Sequence, residues 1–94
     1  MDIKEAFELA DGEFLKFDRI ENPPCRRRDI CAFIKLDQLV PGHRDIVAAA
    51  EHDEIYLDVE ADELAAVATQ DDIVYLHRCG VRWSTEADCL SMFV

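Results

Sequence analysis

Basic residues are missing from the middle of this chain. Between Asp45 and Asp72 there is no Lys and no Arg, yet ten acids fall there: Asp45, Glu51, Asp53, Glu54, Asp58, Glu60, Asp62, Glu63, Asp71 and Asp72. That stretch accounts for nearly all of the formal net charge of −11 over 94 residues. Such a charge repels phosphate backbones and anionic lipid surfaces. Direct nucleic-acid binding and membrane association are therefore disfavoured, and a basic protein partner is favoured. No apolar run reaches the roughly 18 residues a membrane span needs. The opening Met1–Glu8 has neither a basic n-region nor an apolar h-region, so no signal peptide is expected.

Motifs of catalysis and metal binding are also lacking. With only three glycines there is no phosphate loop, and no Gly-x-Ser-x-Gly elbow occurs. The four cysteines, Cys25, Cys31, Cys79 and Cys89, are irregularly spaced, and neither Cys-x-x-Cys nor His-x-x-x-His is found. They read as reduced thiols acting as small hydrophobes in a cytoplasmic protein. The run Asp53–Asp58 lacks the alternating oxygen ligands and the central Gly of a calcium loop. The expectation is a cytoplasmic, non-enzymatic protein without metal or cofactor. An enzyme using His77 or Cys79 is the least favoured alternative.

What is present is enough apolar material for one core. Half of the residues are hydrophobic, which argues against disorder despite the charge. Residues 1–94 read as a single two-layer α+β domain. A short antiparallel sheet, about four to five helices and a C-terminal β-hairpin are expected. Asp2 with Glu5 suits a helix start, and Gly12 suits its stop. Glu13–Ile20 reads as a strand. Asn22-Pro23-Pro24 opens a helix running to about Val40, before Pro41-Gly42, although Ile30–Leu36 also alternates like a strand. Asp45–Glu51 looks helical because of Ile46-Val47-Ala48-Ala49-Ala50. Glu54–Val59 is the clearest strand. Glu60–Ala68 is a helix, and Thr69-Gln70-Asp71-Asp72 is a capping signature that starts another, burying Ile73, Leu76 and Cys79 and stopping at Gly80. Val81–Trp83 and Leu90–Val94 close the chain as a hairpin.

Three arrangements bear on function. Carboxylates on consecutive elements imitate the spaced charges of a phosphate backbone, so a protein built to grip nucleic acid would grip this one. The competing reading is a solvated face that keeps a small domain soluble. Arg26-Arg27-Arg28, the one basic run, opposes the dipole of the helix it enters and is expected to pair with the protein's own acids. The helix pair followed by a hairpin copies the order of a winged helix, but the reading helix would present Asp71 and Asp72 to DNA. The terminal apolar strand reads first as packed in the monomer's own sheet; the alternative is a homodimer or larger assembly through Trp83, Leu90, Met92 and Phe93.

The run Arg78-Cys79-Gly80-Val81 and the ending Ser91-Met92-Phe93-Val94 resemble small uncharacterised acidic proteins carried by bacteriophages and prophages. The resemblance covers the last quarter of the chain and brings no catalytic motif. The charge pattern is similar in kind to anti-restriction and anti-CRISPR proteins that mimic DNA. That likeness implies a protein-binding inhibitor.

Overall fold

The computed structural model describes all of residues 1–94. Four α-helices and a four-stranded antiparallel sheet form an α+β domain. In chain order they are α1 (Ile3–Leu9), α2 (Arg28–Leu39), β1 (Val47–Glu51), β2 (Glu54–Leu57), α3 (Ala61–Val67), α4 (Gln70–Arg78), β3 (Val81–Ser84) and β4 (Cys89–Phe93), with one 3-10 turn at Phe17–Arg19. The sheet order is β1-β2-β4-β3. Both hairpins are sequence-local, and β2 and β4 join them.

Residues directly opposite in an antiparallel pair point to the same side. Ile55 faces Met92, Leu57 faces Leu90, and Val81 and Trp83 face the same two β4 residues. This side meets the helices. Leu36 of α2, Leu64 of α3, and Ile73 and Leu76 of α4 lose all solvent exposure against it, and Ile3, Ala6 and Phe7 of α1 close the edge. The other side carries Glu54, Tyr56, Arg82, Ser91 and Phe93.

Local signals decide several boundaries. The Asp2 side chain accepts from the Glu5 amide at 3.1 Å, which starts α1. Thr69 and Asp72 form a reciprocal capping box with bonds of 3.2 and 2.9 Å, so α4 restarts after a break at Ala68. Gly80, with φ +101°, turns the chain from α4 into β3.

Three expectations are corrected. Residues 45–51 form no helix; Val47–Glu51 is the edge strand β1, because pairing along β2 outweighs the helix propensity of its alanines. Glu13–Ile20 is not a strand. Leu15 sits at φ +62° and Phe17–Arg19 makes a 3-10 turn, while Glu13 is tied to Arg19 and Arg78. The helix after Pro24 exists, but it begins at Arg28 rather than beside Asn22, which turns at φ +50°. The terminal strand β4 packs within the monomer's own sheet, between β2 and β3.

Candidate functional site

The ten acids separate by environment into three that are engaged and seven that are not. Glu54 takes a hydrogen bond from Ser91 Oγ at 2.9 Å, one from the Tyr56 hydroxyl at 3.1 Å, and an ion pair from Arg82 at 2.8 Å. These neighbours, Ser91 first, hold its carboxyl below the usual carboxylate range against the opposing effect of burial. Asp58 pairs with Arg44 at 3.1 Å. Asp72 serves the α4 cap and pairs with Lys35 of α2 at 2.9 Å. Burial pushes the Asp72 carboxyl up, but Lys35 and the Thr69 amide outweigh it and hold the group low.

Asp45, Glu51, Asp53, Glu60, Asp62, Glu63 and Asp71 are exposed. None pairs with a Lys or Arg, and only Glu51 has an imidazole nearby, His52 at 3.9 Å. They do not form one continuous face. Glu51 and Asp53 sit at the tip of the β1–β2 hairpin, whereas Asp45 precedes β1 and Glu60, Asp62 and Glu63 open α3 at the far end of β2. A five-residue strand, about 15 Å long, separates the two groups. Between them runs β1, all five of whose residues are exposed, with β2 on one side and no strand on the other. A groove at the base brings Asp58, Glu60 and Asp62 together with Asp88, an acid outside the original stretch.

The proposed oligomer residues also divide. Leu90 and Met92 are buried at 0% and 2% exposure, so both belong to the monomer's core. Phe93 is about half exposed, with the Arg82 guanidinium 5.0 Å from its ring centre, and Trp83 is partly covered.

Arg26, Arg27 and Arg28 make no ion pair with the protein's acids, contrary to expectation. All three are exposed; Arg27 occupies the N-cap position of α2 without a side-chain cap bond, and the Arg28 guanidinium lies over Gly80. His77 is buried, with Nδ1 2.8 Å from the Val81 carbonyl and its ring between Phe7 and Phe14. Since a carbonyl only accepts, Nδ1 carries the proton and the imidazole is committed to joining α4 to β3. Cys79 is fully buried, and desolvation, aided by the neighbouring Cys31, pushes its thiol up to about 12. A thiol in that state is a poor nucleophile. No three His, Cys, Asp or Glu side chains converge as a metal would require.

Two arrangements escape a reading of the sequence. The Glu54–Tyr56–Ser91–Arg82 network depends on a strand register that no local pattern declares. Cys25 and Cys31, six positions apart, bring their sulfurs to 3.5 Å.

The chain matches no protein-family model, and no curated protein or solved structure shows significant similarity to it.

Proposed function

We propose that this protein is a non-enzymatic binding module whose acidic ribbon receives a basic protein and blocks its nucleic-acid-binding groove. The observation that carries the reading is that most of the carboxylates at the two ends of the exposed strand β1 are exposed and unpaired with any Lys or Arg. A solubilising surface usually mixes signs. Here the cations that do pair go to Glu13, Glu54, Asp58 and Asp72, while Asp53 at the tip and Asp45, Glu60, Asp62 and Glu63 at the base have no Lys or Arg paired with them. Fixed anions on a rigid strand and helix end replace the counterion-shedding contacts that a basic groove makes with phosphates. An anti-restriction or anti-CRISPR role is the biological form this reading takes. The winged-helix order does not lead to DNA reading, because the first turn of α4 exposes Asp71 and commits Asp72 to its cap.

The test is capture of partners from bacterial lysate, repeated with excess duplex DNA and with the variant Glu51→Lys/Asp53→Lys/Glu60→Lys/Asp62→Lys. A basic partner displaced by DNA and lost by the variant supports the reading. A partner that survives both treatments rules it out.

A second reading is self-assembly. With Leu90 and Met92 inside the core, the surface that favours it is the open edge of β1, where two copies could pair antiparallel. Concentration-dependent light scattering separates this from the first reading.

A further inference from the structure

We propose that Cys25 and Cys31 form a reversible thiol-oxidation site that reacts with anionic low-mass disulfides such as glutathione disulfide. The geometry carries it. The two sulfurs lie 3.5 Å apart, and each also approaches a nearby carbonyl: Cys25 Sγ is 3.4 Å from the Arg27 oxygen and Cys31 Sγ is 3.5 Å from the Cys25 oxygen. These contacts fold the loop before α2 back over the first turn of that helix. Only a small closure remains before the sulfurs reach bonding distance, about 2.05 Å.

The two thiols differ in access. Cys25 is half-buried, on the loop, and meets solvent; Cys31 has no exposure, and burial pushes its thiol up. An external reagent therefore encounters Cys25, and Cys31 is reached only from within. Arg26, Arg27 and Arg28 adjoin Cys25 and stay free of ion pairs, giving a local cationic patch on an otherwise strongly acidic protein. That patch fits a disulfide bearing carboxylates.

The chemistry proceeds as two exchanges. The Cys25 thiolate attacks one sulfur of glutathione disulfide, forming a mixed disulfide and releasing one glutathione thiolate. Cys31, a weak nucleophile by burial but held 3.5 Å from the Cys25 sulfur, then gives up its proton to solvent and attacks that sulfur as the thiolate. The Cys25–Cys31 bond forms and the second glutathione thiolate is released; proximity offsets the low thiolate fraction of Cys31. The protein loses two protons and two electrons; glutathione disulfide gains them as two glutathione molecules. Excess reduced glutathione reverses both steps. The product ties the loop before α2 covalently to the first turn of that helix.

The experiment incubates the folded, reduced chain with glutathione disulfide, alkylates the remaining thiols and maps the peptides by mass spectrometry. The expected product has Cys25 linked to Cys31, with Cys79 and Cys89 alkylated after denaturation. Cys31→Ser should hold the mixed disulfide on Cys25 at about 10-fold or more above the wild-type level, because the intramolecular resolving step is lost. Cys25→Ser, a near-isosteric change at a half-buried position, should leave Cys31 unmodified. Arg26→Ser/Arg27→Ser should slow the reaction with glutathione disulfide but not with the cationic disulfide cystamine. A wild-type protein that stays glutathionylated, stays unmodified, or links Cys25 to Cys79 or Cys89 overturns the proposal. Equal rates for the arginine variant overturn the anionic assignment.

Discussion

At the scale of single residues, Gly80 and Glu54 carry the most specific constraints: one of backbone conformation, the other of charge. Gly80 has φ +101°, and an added Cβ would lie 2.8 Å from an Arg28 guanidinium nitrogen and 3.0 Å from a Leu15 methyl. Gly80→Ala should thus cost about 1 kcal/mol or more, chiefly from backbone strain at this φ, because the Arg28 and Leu15 side-chain ends can shift aside; urea unfolding would measure it. Glu54 is held low by Ser91, Tyr56 and Arg82, and Glu13 by Arg78 and Arg19. For a group lowered in the folded state, the stabilisation is complete above its unfolded value and is lost as pH falls through the folded value. Stability should therefore decline below about pH 4. Glu54→Gln should lower the melting temperature at pH 7 and flatten that acid decline. An unchanged acid limb would mean that the network is too solvated to matter. Gly80 was legible as a stop because glycine after a capped helix is a local signal. Glu54 looked like one acid among ten, since its partners lie on strands distant in sequence.

At the scale of elements, what could be read in advance is what the chain decides within a few residues. The Thr69–Asp72 box, the hairpin of β3 and β4, and α2 as helix rather than strand all carry local chemistry. Thr69→Ala should remove one bond of the box and cost about 1 kcal/mol. Asp72→Asn should cost more, because Asp72 also holds Lys35 and so ties α4 to α2. Thermal melts of the two variants, compared at pH 7, test the order. The misread elements were those decided from outside. Ala48-Ala49-Ala50 prefers a helix in isolation, and only β2 alongside makes it a strand. In the segment 13–20 the apolar residues Phe14 and Phe17 pack in turns, one against His77 and one against the core. The acids of the candidate site were legible by type, but their division into tip and base groups was not. That division follows from β1 being a strand.

At the scale of the whole molecule, the same charges act with opposite sign on folding and on binding. Exposed carboxylates at both ends of the ribbon repel one another within the native state, whereas the five Lys and Arg ion pairs are individually small contributors, worth about 0–1 kcal/mol where exposed. Salt shortens the reach of that repulsion, to about 10 Å at 0.1 M. The melting temperature of the free protein should therefore rise between low and moderate ionic strength. A fall would mean that the ion pairs, not the repulsion, dominate. The charge also keeps copies apart, so light scattering at low salt should report a monomer, and Phe93→Asp should leave it one, given that Leu90 and Met92 already lie inside. Binding to a basic groove should behave in the reverse way, with affinity falling steeply as salt rises, because the contacts are fixed charges exchanging counterions. Free-protein stability and partner affinity measured across one salt series should thus move in opposite directions. If both rise together, the acidic ribbon is a surface that the partner does not touch, and binding must be sought on apolar ground such as the β1 edge.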